Sequence, residues 1–91
     1  MSHVVEATEA SFAQEVEGSE LPVLVDFWAP WCSPCLTLSR TLSEIASEYA
    51  GRAKVVSVNT DENRGLAVRF GIDGLPTVMV FAGGRALATA K

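Results

Sequence analysis

The chain has 91 residues, is 48% hydrophobic and carries a formal net charge of −4, with a pI near 4.8 and a mean hydropathy of +0.24. This length fits one small domain, residues 1–91, and the apolar content is too high for a disordered chain. The acidic balance and the absence of any Lys/Arg cluster argue against nucleic acid as a partner, and no apolar run approaches the length of a membrane span.

Residues 4–7 are predicted to form a short first strand. Thr8 is a good N-cap for a helix over residues 9–17, with Phe12 and Val16 on one face. Gly18 and Pro22 punctuate the exit. Residues 22–28 read as a strand; the run Val23-Leu24-Val25-Asp26-Phe27-Trp28 is apolar on both faces except at Asp26, the pattern of a central, doubly covered strand. A long helix is predicted over residues 33–50, where Leu38, Leu42, Ile45 and Tyr49 make one apolar stripe, and Gly51 suits the left-handed position after it. Residues 54–59 (KVVSVN) form the next strand. Asp61 or Asn63 can cap a short helix carrying Leu66, Ala67 and Phe70, ended by Gly71. Residues 77–81 and 85–90 are two strands joined through Gly83-Gly84, which supplies the positive φ angles of a tight antiparallel hairpin. The expected order is β-α-β-α-β-α-β-β. Its strand–helix–strand crossovers imply parallel pairing and its final hairpin makes the sheet mixed, an α/β class.

The chain's two cysteines lie in Trp31-Cys32-Ser33-Pro34-Cys35, after a strand and at the start of a helix. A cysteine at a helix N-terminus meets unpaired backbone N–H groups and the positive end of the dipole, and both favour thiolate over thiol. Thiolate is the attacking species in disulfide exchange, so Cys32 is the candidate nucleophile. Cys35, one turn further in, is placed to attack a mixed disulfide on Cys32. Pro34 suits the first turn, where its missing N–H is harmless. A structural zinc site would need four ligands, and His3 is the sole histidine. A stapling role is weak as well, because so short a loop removes little unfolded-state entropy. The pair is therefore assigned to redox exchange. The stretch Met1 to Glu6 lacks the basic and long apolar segments of a signal peptide, so a cytoplasmic location is expected unless a leader preceded it.

Asp26 is expected to be buried, with its proton affinity raised by desolvation, and to exchange protons with Cys35. Position alone leaves two readings of Leu75-Pro76 open: a loop proline starting an edge strand, or a cis peptide bond beside a free backbone edge.

With Asp26, the Trp-Cys-x-Pro-Cys site and Leu75-Pro76 in this order, the chain resembles the thioredoxins. The run from Val23 to Cys35 is close to that family's signature, and Asp61, Gly71-Ile72, Gly74-Leu75-Pro76-Thr77 and the segment from Phe81 to Gly84 match as well. The resemblance implies the thioredoxin fold, a central mixed sheet with helices on both faces. It implies Cys32 as nucleophile, Cys35 as resolving thiol, Asp26 as buried proton acceptor and Pro76 in the cis form beside the cysteines. Trp28 would pack beneath the site, and Trp31, Ile72, Gly74, Leu75 and Pro76 would offer a shallow apolar surface to substrate. No bound cofactor is implied beyond the Cys32–Cys35 disulfide. The implied partners are disulfide-containing proteins and an NADPH-dependent thioredoxin reductase.

Four departures from the family pattern stand out. Ser33 replaces the usual Gly between Cys32 and Pro34, the pair that tunes redox potential in the family. Ser57 replaces a common Lys near the buried Asp26, which removes a charge partner. Arg40 replaces a Pro of the long helix, which should therefore kink less. Finally, thioredoxins continue into a C-terminal helix over one sheet face, whereas this sequence ends at Lys91. An uncovered apolar face is expected to be sticky, with a homodimer through it as one outcome and a truncated gene product as the other. The functional expectation is a protein-disulfide reductase. The alternatives are a thioredoxin-like binding or dimerising module with little turnover, and a disulfide oxidase of an oxidising compartment.

Overall fold

The computed structural model describes residues 3–91; Met1 and Ser2, part of the stretch read for a leader, lie outside the described residues. Five strands form one mixed sheet in the order β1-β3-β2-β4-β5: β1 Val5–Glu6, β2 Val23–Trp28, β3 Lys54–Asn59, β4 Thr77–Ala82 and β5 Arg85–Ala90. Strand β3 runs parallel to both β1 and β2, whereas β4 is antiparallel to β2 and to β5. The β4–β5 hairpin turns through Gly83 and Gly84 at φ values of 59° and 79°, which glycine adopts without the steric cost a Cβ would bring.

Helices α1 (Ser33–Glu48) and α2 (Arg64–Arg69) make the two longer connections. Helix α1 runs unbroken past Arg40 for 16 residues. Its buried stripe is Cys35, Leu42 and Ala46, with Leu38 and Ile45 half-buried beside it. Tyr49 leaves the expected stripe: it is the C-cap, 44% exposed, and its ring lies under the Arg52 guanidinium at 4.8 Å. A terminal residue no longer follows the helical period, so the aromatic finds its partner locally.

The first helical segment also departs from expectation. Residues 9–11 form a turn, and Ala13–Glu17 is a five-residue π-helix. The Thr8 amide bonds Ser11 Oγ at 2.9 Å, and the Gly18 amide reaches back five residues to the Ala13 carbonyl at 2.7 Å. The wider turn keeps Phe12 and Val16 both buried. At α2, Asn63 is the N-cap residue but its side chain makes no capping bond. Its Oδ1 instead accepts from the Glu9 amide and its Nδ2 donates to the Asn59 carbonyl, both at 3.0 Å. The Glu9 carboxylate accepts from the Gly65 amide at the start of α2, an acidic group at a helix N-terminus.

The two sheet faces differ. On one, Val23, Val25, Phe27, Val56, Val58, Met79 and Phe81 are buried with Phe12, Val16 and Leu66. Phe70 packs among Phe12, Phe27 and Phe81 at centroid distances of 5.3–6.0 Å. On the other, α1 lies against β3, where Val55 is buried with Leu42 and Ala46. Leu24, Val78 and Val80 on that face are only half-buried, and all six residues of β5 are exposed. Phe81→Ala removes a buried ring that packs against Phe12 and Phe70 and is expected to cost about 3–5 kcal/mol, read as a lower urea midpoint at unchanged slope.

Candidate functional site

Parallel pairing of β2 with β3 brings the C-terminal ends of both strands to one edge of the sheet, with Trp28 opposite Asn59. Residues 29–32 then lead from β2 into α1. Cys32 is the N-cap of α1, in extended conformation, and its sulfur accepts a hydrogen bond from the Cys35 amide at 3.2 Å. Cys32 and Cys35 are joined as a disulfide, with Cα atoms 5.2 Å apart. Cys35 is almost fully enclosed, at 1% exposure against 5% for Cys32. Ser33 and Pro34, in the first turn between them, are exposed. The sulfur of Cys32 thus satisfies one of the N–H groups that a helix start leaves unpaired.

Asp26 lies in the middle of β2, opposite Ser57 on β3 and Val78 on β4. It is 4% exposed, and its Oδ1 has no hydrogen-bond partner among the described residues. Burial pushes its pKa up from 3.8 to about 6. Trp28, two residues on and on the same face, is half-buried, and its indole Nε1 is likewise unpartnered. Both side chains line a cavity of about 250 Å³ between α1 and the sheet.

The Leu75–Pro76 bond is cis, which resolves the two readings its position left open. Thr77 Oγ1, just beyond, donates to the Gly74 carbonyl at 2.6 Å. Trp31, Ile72, Gly74 and Leu75 line one shallow groove. Pro76 is half-buried at the start of β4 and is not among the groove's lining residues. Trp31 is 70% exposed, and its Nε1 donates to Asp61 Oδ2 at 3.1 Å.

The sequence reading placed Asp61 only as a family match or a helix cap. Its part here is to hold the exposed indole at the groove. The signal available was its position just past the end of β3, the parallel neighbour of the strand that leads to the cysteines. Thr60, Ala67 and Asp73 also line the groove and were not singled out. The Asp73 carboxylate accepts from Lys91 Nζ at 2.8 Å, and that contact holds it below the usual carboxylate range.

Among the described residues no group of three or more His, Cys, Asp or Glu is arranged to hold a metal ion, and no helix is long and apolar enough to cross a membrane. The joined sulfurs of Cys32 and Cys35 are the oxidised half of a two-electron dithiol–disulfide couple, which exchanges electrons with a second thiol–disulfide pair through thiolate attack.

Because folding raises the Asp26 pKa, ionising this group penalises the folded state. The penalty is absent below the unfolded value near 3.8, grows as pH rises through about 6, and is complete above it. Asp26→Ala is expected to raise stability at pH 7 by about 1–3 kcal/mol, the ionisation penalty less the cost of a small cavity. Urea unfolding at pH 4 and pH 7 checks the sign: the gain must vanish at the lower pH.

The thioredoxin family model matches residues 3–91. Thioredoxin 1 of Nostoc sp. strain PCC 7120 is 52% identical over 85 residues, which is 93% of this chain and 79% of that protein. The thioredoxin of Synechocystis sp. strain PCC 6803 is 51% identical over the same shares of the two chains. That of Haemophilus influenzae strain Rd is 40% identical over 98% of this chain and 83% of its own. On a family match over nearly the whole sequence, and with the Cys32–Cys35 disulfide capping α1, the chain belongs to the thioredoxin family and is a thiol–disulfide oxidoreductase.

Proposed function

We propose that residues 1–91 act as one domain that reduces protein disulfides by a two-step cycle on Cys32 and Cys35. The Cys32 thiolate attacks one sulfur of a substrate disulfide. A Cys32–substrate disulfide forms and the other substrate sulfur leaves as thiolate. Cys35 gives up its proton and attacks the Cys32 sulfur, which forms the Cys32–Cys35 disulfide and releases the second substrate thiolate. Two electrons pass to the substrate. The observation that carries this reading is the position of the pair: Cys32 caps α1 and Cys35 is enclosed one turn below it.

Each remaining residue has a part supported by its surroundings. Asp26 is the proton acceptor for Cys35; a buried carboxyl with a pKa of about 6 takes up and returns a proton near neutral pH. Ser33 and Pro34 tune the couple, and Trp28 packs beneath it. Trp31, Ile72, Gly74, Leu75 and Pro76 receive the substrate chain, which pairs with the backbone at residues 74–76. The chain works without a bound cofactor. Its oxidised form is returned to the dithiol by an NADPH-dependent thioredoxin reductase in the cytoplasm.

The half-buried face of Leu24, Val78 and Val80, continuous with exposed β5, supports association with a second copy. Light scattering at micromolar concentration is expected to give the mass of a dimer; a monomer rules the association out.

Insulin reduction with dithiothreitol as electron source tests the cycle. Cys32→Ser is expected to abolish turnover. Cys35→Ser is expected to abolish it as well while accumulating a covalent complex with substrate, visible on a non-reducing gel. Accumulation in Cys32→Ser instead would reverse the two roles. Asp26→Ala is expected to slow the resolving step while leaving the first attack intact.

A further inference from the structure

Asp26 stands in the wall of the cavity of about 250 Å³ beneath α1. Asp26 is 4% exposed, and its Oδ1 is without a partner among the described residues. A buried carboxylate left uncompensated is costly, and proteins commonly offset that cost with a cation and its hydrogen bonds. Among the described residues no cationic side chain lines this cavity. We propose that the cavity is a binding site for a small organic cation with an apolar stem, an amidinium or alkylammonium whose N–H groups bond the Asp26 carboxylate.

The walls suit that ligand in three ways. Leu42 and Val55, both buried, offer an apolar surface to the stem. Ser39 and Ser57 bring hydroxyl oxygens that can accept further N–H bonds. Leu36 and Ser39 are exposed on α1, so the cavity reaches the surface beside them. The volume lies below the roughly 300 Å³ at which drug-sized sites begin, which restricts the occupant to a fragment with one ring or a short chain.

Charge selects the cation over its neutral analogue. Among the described residues Asp26 is the sole titratable side chain in the wall. Its neighbours across the sheet are Ser57 and Val78. Glu6, beyond Ser57 on β1, is exposed and adds charge of the same sign. Arg40 and Glu44 of α1 are exposed and do not line the cavity. A bound cation favours the ionised carboxylate. If Asp26 is the proton acceptor of the cycle, as proposed above, occupancy withholds that acceptor and slows resolution of the mixed disulfide.

Benzamidine titrated into the oxidised protein tests the site without turnover, with the Trp28 indole resonance as reporter. The expected result is a saturable shift at pH 7.5, with affinity about tenfold weaker at pH 5, where most of Asp26 is protonated. Neutral benzamide should give no saturable shift, and Asp26→Asn should abolish the response to benzamidine. Equal binding of benzamide and benzamidine, equal affinity at the two pH values, or no saturation overturns the proposal. The first two comparisons use the unmodified protein, so they decide the matter even where Asp26→Asn fails to fold. Benzamidine is then added to the insulin assay. Binding without loss of rate upholds the site and counts against Asp26 as proton acceptor, whereas absence of binding leaves the redox cycle intact.

Discussion

Strand β2 is paired along both edges, parallel to β3 and antiparallel to β4, and covered on both faces over most of its length. That double constraint fixes its register, because a slip of one residue would send Asp26 into the aromatic cluster and Phe27 under α1. With the register fixed, Asp26 lies beneath α1 and the strand ends at Trp28. The chain then has four residues in which to reach the start of α1, and Cys32 arrives there as the cap. The position of the redox pair is therefore a consequence of β2 packing. The cysteines themselves contribute the chemistry and the cap.

The two sides of the sheet do different work. The side holding Phe12, Phe27, Phe70 and Phe81 is closed and apolar, and it supplies most of the buried surface of the fold. The α1 side is where polar atoms are left without partners: Asp26 Oδ1 and Trp28 Nε1. Such atoms cost stability and are rare in folded proteins. Ser57, where many family members carry a lysine, leaves the carboxylate without a neighbouring cation. Desolvation then acts on it unopposed, and its pKa rises to about 6.

The groove at Trp31 is bordered by three separate segments. The β2–α1 connection brings Trp31, the loop after β3 brings Asp61, and the loop before β4 brings Gly74 and Leu75. Asp61 and Trp31 lie 30 positions apart in the sequence and meet through the indole N–H, which both carboxylate oxygens accept at 3.3 and 3.1 Å. This contact orients an aromatic side chain that is otherwise mostly in solvent.

Much of this was determined by the sequence alone. Alternation and apolar runs located β1 to β4 within a residue at each end, because each carries a buried or half-buried face, and the Gly83-Gly84 turn located the fully exposed β5 as closely. The Trp-Cys-x-Pro-Cys spacing identified the redox pair and the isolated Asp26 within an apolar run marked a buried carboxyl, because each breaks an otherwise uniform local pattern. The π-helical turn at Ala13–Glu17 was not legible, since its geometry is chosen by the need to bury Phe12 and Val16 together rather than by local propensity. The displacement of Tyr49 from the apolar stripe followed from where α1 stops. The cis state of Leu75–Pro76, left open by position, was implied by the family resemblance. The Trp31–Asp61 bond and the cavity beside Asp26 were decided by tertiary structure. Each depends on atoms that only the folded chain brings together, and a one-dimensional pattern holds no record of the space between elements.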